Sequence, residues 1–326
     1  MSGPPAASFD RRGFLTTLTG SAAAAAGLAL LPAGTASAGE GVTTLDVLSD
    51  VQGDLADLSH VLNHLDSLGT ADALVVNGDL VANGHVSEYE AYREVLDSHP
   101  HPERVISTIG NHEQYNDAPF DAQVDRFLGY TDMADVYTET LVGDVPLLTI
   151  GTTEPIAGTS GPFVTLGAEQ LSWLDGRLSE HARNGRPVFV FSHHVLPDSV
   201  SGTTGDDSAR FYDRDFVDET ELLEVLGSHS GVVFLSGHTH WSLERDDWAT
   251  RKVVSGGDPR GFTVVNTGFV QTLFGPDGRG GERAIDGSAA QGLRIEVAAD
   301  GAVTVHARDL KAGTVIRSLE IEAPNA

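Results

Sequence analysis

The chain has 326 residues, of which 40% are hydrophobic, and a formal net charge of −27. This hydrophobic content supports a sizeable core and excludes a disordered chain, and so acidic a protein is not expected to carry a nucleic-acid-binding surface or to adsorb to anionic lipid through its overall field. The absence of cysteine excludes disulfides, zinc–thiolate sites and cysteine nucleophiles.

Residues 1–38 have the composition of an export signal. The pair Arg11-Arg12 is followed by an alanine-rich apolar stretch, which ends in the small-x-small sequence Ala36-Ser37-Ala38. The arginine pair resembles a twin-arginine signal. We therefore expect an exported protein, extracellular or in the cell envelope, that is cleaved after Ala38 and keeps no stable membrane span. The alternative is that the apolar stretch is retained as an N-terminal anchor.

After this segment, short apolar strands alternate with amphipathic helices. Strands are predicted at 44–49, 73–76, 105–109, 147–150, 187–191 and 232–235, and helices at 54–68, 87–96, 168–182 and 218–227. Ser87, with Glu90 three residues later, is the predicted N-cap of the second helix. This alternation predicts an α/β fold in which helices cover the sheets.

The C-terminal part is richer in strands. They are predicted at 262–265, 293–297, 303–307 and 315–321, joined by turns that contain glycine and aspartate. The glycine-rich segment 275–287 is predicted to be a turn or mobile loop. It does not connect a strand to a helix, so it is not expected to cradle a phosphate. Because no long linker interrupts the chain, we predict one domain over residues 39–326, with the strands from about residue 291 as part of it.

Polar clusters follow five of the predicted strands. They are Asp50-Val51-Gln52, Gly78-Asp79, Gly110-Asn111-His112-Glu113, Ser192-His193-His194 and Gly237-His238-Thr239-His240. Sites in open α/β sheets form at the carboxyl ends of strands, so these clusters are expected to meet in one crevice. The glycine that precedes three of them allows the backbone to turn tightly beside the site.

The residue types in these clusters suit a pair of metal ions. A carboxylate such as that of Asp79 can bridge two cations through its two oxygens, the amide oxygen of Asn111 can add a ligand, and imidazoles bind Zn, Fe, Mn and Co. If residues 238–240 are extended, His238 and His240 point to the same side, and each can serve one metal. Bound metal ions would also supply the positive charge that an anionic substrate needs in so acidic a protein.

The order Asp-x-Gln, Gly-Asp, Gly-Asn-His-Glu, His and Gly-His-x-His resembles the calcineurin-like metallophosphoesterase family, from Asp50 to His240. The resemblance implies a metallo-dependent phosphatase-like fold, a four-layer α/β/β/α sandwich with two central mixed β-sheets. It also implies a hydrolase of small phosphate esters, in which a hydroxide that bridges two metal ions attacks phosphorus. A phosphodiester or nucleotide-type substrate is favoured. The alternatives are a phosphomonoesterase and a metal-binding exported protein with little turnover.

The same resemblance implies that two divalent ions share the carboxylate of Asp79. The ligands implied for one ion are Asp50, Asp79 and His240, with Gln52 nearby, and those for the other are Asp79, Asn111, His193 and His238. His112, the catalytic residue besides Asp79, would stabilise the pentavalent phosphorus centre or protonate the leaving oxygen.

The first motif departs from the family pattern, because Gln52 stands where many members have histidine. A glutamine amide oxygen is a neutral and weaker ligand that suits a harder ion, so among Mn, Fe, Zn and Co we favour Mn at this site. The alternative is that Gln52 only forms hydrogen bonds. Asp-x-Gln also resembles a branch of the family that acts on nucleoside diphosphate derivatives such as ADP-ribose and CDP-alcohols.

Some of these residues have simpler interpretations. Asp50 could be a helix N-cap, and Asn111 could be a left-handed turn residue. Neighbours on a strand point to opposite sides, so one of His193 and His194 is expected to bind metal while the other is structural, and the family pattern favours His193. Glu113 is expected to support the ligands rather than to bind metal.

Overall fold

The computed structural model describes residues 30–31, 41–156, 158–204, 212–279, 281–285, 287 and 289–324. Most of the predicted export signal, including its arginine pair and its cleavage site, therefore lies outside the described residues. Within these ranges, no helix is both long and apolar enough to cross a bilayer.

The strands of the described chain fall into two large sheets and one hairpin. In chain order they are β1 Leu30–Leu31, β2 Thr43–Leu48, β3 Ala73–Val76, β4 Val105–Ser107, β5 Thr138–Val142, β6 Val145–Thr149, β7 Val188–Phe191, β8 Val232–Ser236, β9 Ala249–Lys252, β10 Phe262–Asn266, β11 Phe274–Pro276, β12 Glu282–Ala284, β13 Gln291–Val297, β14 Val303–Asp309 and β15 Thr314–Ile321. The first sheet has the order β1-β15-β14-β13-β2-β3-β4, and the second has the order β5-β6-β7-β8-β10-β9. Both sheets are mixed, because parallel pairs lie beside antiparallel ones.

Helices cover the outer faces of the two sheets. They are α1 Leu55–Ser67, α2 Val86–Ser98, α3 Phe120–Thr131, α4 Gly167–Ala182 and α5 Glu219–Gly227. Apolar residues of both sheets, such as Leu45 and Phe189, form a core between them. Two further cores lie outside the sheets, one under α1, α2 and α3 and one under α4 and α5. The fold is therefore the expected four-layer α/β/β/α sandwich.

The first two helices begin where side chains satisfy free backbone N–H groups. Asp54 caps α1, because its carboxylate accepts a hydrogen bond of 3.0 Å from the N–H of Asp57. Asp50 is therefore not the cap of this helix. The predicted cap of α2 at Ser87 is wrong by two residues. His85 is the N-cap, and the carboxylate of Glu88 accepts the N–H of His85 at 3.0 Å.

The C-terminal strands divide between the two sheets. β13, β14 and β15 extend the first sheet next to β2, whereas β10 lies parallel to β8 in the second sheet. Residues 262–265 therefore do not belong with the later strands. The segment predicted to be a turn or mobile loop contains the hairpin β11–β12, in which Phe274 pairs with Ala284. This hairpin lies beside the loop that follows β8, because the N–H of Phe274 donates to the carbonyl of His240.

Candidate metal centre

The five polar clusters lie at the carboxyl ends of parallel strands. In the first sheet β2, β3 and β4 are parallel, and in the second β7 and β8 are parallel. Because the sheets pack face to face, these strand ends meet. Oδ1 of Asp50 lies 2.9 Å from Nε2 of His240, and Oδ2 of Asp79 lies 3.1 Å from Nε2 of His193. Each of these pairs joins the two sheets.

The ligand-type side chains form two overlapping groups. The ligand atoms of Asp50, Asp79 and His193 all lie within 4.8 Å of one another, and so do those of His193, His194 and His238. All five residues are buried. His193 belongs to both groups and therefore stands at their junction.

The backbone of the motif residues is held in a conformation that non-glycine residues rarely adopt. Among the described residues, seven non-glycine residues have positive φ, and five of them are predicted ligands. These five are Asp50 (57°), Gln52 (43°), Asp79 (54°), His238 (68°) and His240 (54°). Each such conformation costs on the order of 1 kcal/mol or more and persists where the surrounding structure imposes it, commonly at functional sites.

Two motif glycines are required because other groups approach their Cα closely. A Cβ on Gly110 would lie 2.1 Å from Oδ1 of Asp79, and a Cβ on Gly237 would lie 1.9 Å from Oγ of Ser49. Ser49 in turn donates to Oδ2 of Asp50 at 2.6 Å. The glycines of Gly-Asn-His-Glu and Gly-His-x-His therefore allow the loops to close around the carboxylates.

Hydrogen bonds define which nitrogen of each histidine faces the cluster. Nδ1 of His240 lies 2.9 Å from the carbonyl oxygen of Thr272, and Nδ1 of His193 lies 2.9 Å from that of Asn77. A carbonyl oxygen only accepts, so each Nδ1 carries a proton, and each ring presents a lone pair on Nε2 when it is neutral, as it must be to bind a metal. For His240 this lone pair faces Oδ1 of Asp50.

The atoms that face the cluster lack hydrogen-bond partners. Oδ1 of Asp50 and Nε2 of His193 are buried, and neither has a partner within the described chain. Buried polar atoms are normally satisfied. A proton on the imidazole can lie between a histidine nitrogen and a carboxylate oxygen that face each other, and a bound metal ion would satisfy both atoms in the same way. The donor set of carboxylate and imidazole suits transition metals. The residues therefore fit bound metal ions.

The pKa values of the cluster also indicate a place for positive charge. Burial lowers the pKa of His193, but the carboxylates of Asp79 and Asp50 outweigh burial and raise it to about 10. Burial raises the pKa of Asp79, but the imidazoles of His193 and His112 outweigh it and hold the pKa well below its usual value. Burial and His193 lower the pKa of His238 to about 3, so His238 stays neutral, as a metal ligand must.

Gln52 reaches the cluster. Its terminal amide nitrogen lies 3.1 Å from Oδ2 of Asp79 and 3.0 Å from Nε2 of His240. In this orientation the amide can donate to both acceptors. The opposite orientation, related by a half-turn of the amide group, brings the oxygen to the same place as a ligand.

Both adjacent histidines lie in the cluster. The ring centroids of His193 and His194 are 4.9 Å apart, and Nε2 of His194 lies 3.1 Å from Oδ1 of Asn111. The expectation that one ring points away is wrong, because both residues lie beyond the end of β7 and do not follow its pleat. His194 is thus a candidate ligand that the sequence interpretation assigned a structural role. Asn111 is not a left-handed turn residue, since its φ is −77°.

Glu113 holds the ligand loops together. Its carboxylate accepts N–H groups of Asp79 at 3.1 Å, Leu80 at 2.8 Å and Gly110 at 2.7 Å. Burial and the nearby Asp79 raise the pKa of Glu113 to about 8. The geometry thus places Glu113 behind the ligands.

His112 lies at the rim of the cluster. Its backbone N–H donates to Oδ1 of Asp79 at 2.9 Å, and its Nδ1 lies 2.7 Å from the carbonyl oxygen of Ala82. Nδ1 therefore carries the proton that this carbonyl accepts. Nε2 is directed towards the cluster, 3.8 Å from Oδ2 of Asp79, and the side chain is 25% exposed. The ring can reach both the ligands and a substrate.

A cavity of about 570 Å³ lies over the cluster, a size typical of small-ligand sites. It is lined by Gln52, Asn111, His112, Tyr115, Thr159, Ser160, Phe163, Tyr212, Arg214, Asp215, His238, His240, Phe274 and Glu282.

Sequence comparison gives the family of this chain. The model of the family described as "Calcineurin-like phosphoesterase" matches residues 43–242, a range that contains every predicted ligand. The chain belongs to the calcineurin-like phosphoesterase family. This phosphoesterase is therefore a metal-dependent phosphoric ester hydrolase. No protein of curated function matches its sequence.

A second family model covers the rest of the phosphoesterase chain. It is described as a domain of unknown function (DUF4073) and matches residues 243–325. This range includes β13–β15 of the first sheet and β9 and β10 of the second. It also contains the hairpin β11–β12, whose residues Phe274 and Glu282 line the cavity.

Solved structures show the same fold. A dimetal phosphatase from Danio rerio is 15% identical, with a TM-score of 0.59, and the match covers 87% of this chain and 100% of that one. Purple acid phosphatase PPD1 from yellow lupin is 16% identical, with a TM-score of 0.57, and the match covers 86% and 54% of the two chains. GAP50, the anchor in the inner membrane complex of Plasmodium, is 14% identical, with a TM-score of 0.54 and coverages of 87% and 90%.

Proposed function

We propose that this phosphoesterase binds two divalent ions at the ends of the five strands and hydrolyses phosphodiester or nucleotide-type substrates. One observation carries the proposal. Oδ1 of Asp50 and Nε2 of His193 are buried without hydrogen-bond partners in the described chain, and Nε2 of His240 lies 2.9 Å from this oxygen. Bound metal ions would satisfy these atoms, and the two overlapping groups of ligands support two of them.

The proposed ligands follow the family motifs. We assign Asp50, Gln52, Asp79 and His240 to one ion, and Asp79, Asn111, His193 and His238 to the other. The short distances from Gln52 to Asp79 and His240 support its place in the first set. A neutral amide oxygen in that set favours Mn(II) over Zn(II).

The chain's own residues orient and protonate the substrate. When bound, the two ions would activate the attacking water and neutralise the charge that develops on phosphorus. His112 has its Nδ1 proton committed to the carbonyl of Ala82, so Nε2 is the atom that meets the substrate. A protonated Nε2 can stabilise the reacting phosphate or deliver a proton to the leaving oxygen.

Hydrolysis of two chromogenic esters tests the proposal. Purified protein is stripped of metal with a chelator, reloaded with Mn(II), and assayed with bis-p-nitrophenyl phosphate and p-nitrophenyl phosphate. We expect turnover that is lost on chelation and restored by metal, with the diester as the better substrate. Preference for the monoester would identify a phosphomonoesterase.

Asp79→Ala is the matched inactive control, because it removes the carboxylate shared by both proposed ions. The fold alone does not establish turnover, since a protein of this fold is described as an anchor in Plasmodium. Two equivalents of bound metal without hydrolysis of either ester would therefore contradict the enzymatic proposal and leave a metal-binding protein.

We also propose that the protein acts as one unit outside the cytoplasm. The single unit is supported by the strands of residues 243–325, which complete both sheets, and by the hairpin β11–β12 at the cavity. Export is supported by the arginine pair and the small-x-small sequence within residues 1–38.

A further inference from the structure

The hairpin β11–β12 brings a carboxylate into the cavity that the metal centre does not use. Oε1 of Glu282 accepts the hydroxyl of Tyr212 at 2.7 Å, and Oε2 accepts the indole N–H of Trp241 at 3.1 Å. Burial and Glu282 hold the pKa of Tyr212 well above its usual value, so the hydroxyl keeps its proton and donates. Two neutral donors fix the position of the carboxylate without cancelling its charge.

Glu282 has no charged partner among its hydrogen-bond donors. In the described part of the chain, neither donor to Glu282 is a lysine or an arginine. Two arginines lie nearby: Arg214 lines the same cavity, with its side chain 87% exposed and 3.9 Å from Asp213, and Arg245 lies over the ring of Trp241, 4.9 Å from its centroid. Burial raises the pKa of Asp215 to about 7, so this second carboxyl is only partly charged near neutral pH. The negative charge near the hairpin therefore comes mainly from Glu282.

Two aromatic rings line the same cavity as Glu282. The ring of Tyr212 lies 4.9 Å from that of His238, and the ring of Phe274 lies 5.4 Å from that of His240. Both rings therefore stand next to the Gly-His-x-His end of the metal cluster. We call the group Tyr212, Phe274 and Glu282 the hairpin subsite.

We propose that the hairpin subsite binds a positively charged substituent of the phosphate ester, an amine or a quaternary ammonium group. This inference rests on the proposed function. Cations bind to the faces of aromatic rings, and a fixed carboxylate adds direct attraction. The metal ions would hold the phosphate while the subsite holds the cation.

Other substituents fit the hairpin subsite less well. A second phosphate group would be repelled by Glu282, which argues against the nucleoside diphosphate derivatives suggested by the Asp-x-Gln motif. A sugar diol could donate to the remaining lone pair of each Glu282 oxygen, but it would not use the charge of the carboxylate. An ammonium group uses the full negative charge, which both hydrogen bonds leave in place.

A pair of isosteric substrates tests the proposal. In p-nitrophenyl phosphocholine the substituent is cationic, and in p-nitrophenyl 3,3-dimethylbutyl phosphate a carbon replaces the nitrogen. Both diesters release p-nitrophenol from the same bond. We expect kcat/KM to be at least about 10-fold higher for the cationic ester in the metal-loaded protein. Phosphocholine and 3,3-dimethylbutyl phosphate, followed by phosphate release, form the equivalent pair for monoester hydrolysis.

Two variants examine the groups of the subsite separately. Glu282→Gln should lower the ratio of the two kcat/KM values several-fold, to the part that the aromatic rings supply. Phe274→Leu, which keeps the carboxylate, should lower the ratio by about 3-fold. Glu244→Gln, on an exposed residue, is the matched control and should leave the ratio unchanged.

The outcomes separate the subsite from the proposed function. Equal kcat/KM for the two members of a pair in the wild-type protein would overturn the subsite and leave the hydrolase proposal intact. A p-nitrophenyl glyceryl phosphate that is hydrolysed faster than the choline ester would also overturn it, in favour of a diol. Absence of metal-dependent hydrolysis of all these esters would overturn the proposed function itself.

Discussion

The terminal amide nitrogen of Gln52 lies 3.0 Å from Nε2 of His240, the nitrogen that carries a lone pair. The same atom lies 3.1 Å from Oδ2 of Asp79. The end of the Gln52 side chain thus lies beside ligand atoms of both Asp79 and His240, which are assigned to the first proposed metal. Many members of the family have histidine at this position of the motif, so substitution of Gln52 is a direct test of its role.

We predict that Gln52→His tightens the first metal site by about 10-fold and moves its preference from Mn(II) towards Zn(II). The reason is that an imidazole nitrogen is a stronger and softer donor than an amide oxygen. Competition titrations with a chelating dye measure both quantities. If affinity and ion preference do not change, Gln52 is a hydrogen-bonding residue and not a ligand.

His112→Ala is expected to lower kcat by about 10²–10⁴-fold while both metal ions stay bound. The ring is directed at the cluster through Nε2, but it lies at the rim, 3.8 Å from Oδ2 of Asp79. Single-turnover assays combined with metal analysis distinguish the two effects. His60→Ala, at an exposed histidine of α1, is the matched control and should retain activity. Loss of metal in His112→Ala would show that the residue is a ligand.

The adjacent histidines can be separated by single substitutions. His193 joins the two ligand groups, so His193→Ala is expected to release metal and abolish activity. His194 faces Oδ1 of Asn111, and His194→Ala should weaken the second site by about 10-fold or more if His194 contributes a ligand or holds Asn111 in place. Metal content after dialysis measures both results. Full retention of metal by His193→Ala would contradict its assignment.

The parts of the fold that follow from local patterns could be predicted from the sequence. Each parallel strand is a short apolar run followed by polar residues, and that pattern predicted all five strand ends at the cluster. Helix α3 was missed although Phe120, Val124, Phe127 and Leu128 recur at helical spacing; its buried face also includes the polar residues Gln123 and Thr131. The hairpin β11–β12 has strands of only three residues each, and glycine, proline and aspartate in its sequence favoured a loop.

The cavity could not be predicted, because its walls come from distant parts of the chain. Glu282 is 41 residues from Trp241 and 70 from Tyr212, and no local pattern links them. Asp215 is buried, and its carboxylate accepts the N–H of Val195, 20 residues earlier, at 3.0 Å. Residues such as these acquire a role from tertiary contacts alone.

Export can be tested through the arginine pair. Replacement of Arg11 and Arg12 by lysine preserves charge but changes the twin-arginine pattern, so we expect the protein to remain in the cytoplasm. Fractionation and the mass of the exported form measure the result, and cleavage after Ala38 would give a chain that begins at residue 39. Unchanged export of the double variant would exclude a twin-arginine route, and an uncleaved membrane-bound form would indicate an anchor.

The last prediction concerns a buried ion pair between β2 and β13, outside the metal cluster. Arg294 of β13 donates to both carboxylate oxygens of Asp46 in β2, each at 2.9 Å, and also to the carbonyls of Leu68 and Gly69. Asp46 is buried, with 2% of its surface exposed. Arg294→Met would leave the carboxylate without a partner, so we expect the free energy of unfolding to fall by about 3–5 kcal/mol.

This loss should depend on pH with a defined sign. Burial raises the pKa of Asp46, and the hydrogen bond and charge of Arg294 oppose that rise. Without Arg294 the folded-state pKa rises further, so the folded protein holds a proton that the unfolded chain releases above about pH 4. The stability that this bound proton contributes is complete below about pH 4 and falls as pH rises towards the folded-state pKa. The deficit of Arg294→Met relative to the wild-type protein is therefore larger at pH 7 than at pH 5.

Urea unfolding of metal-free protein at the two pH values measures the effect. The double variant Asp46→Leu, Arg294→Met should recover much of the stability and lose the pH dependence, because no buried charge remains. Arg93→Met, at a helix-surface pair with Asp97, is the control and should change the free energy of unfolding little. An equal deficit at both pH values in Arg294→Met would show that lost packing of the arginine, and not the unpaired carboxylate, accounts for the destabilisation.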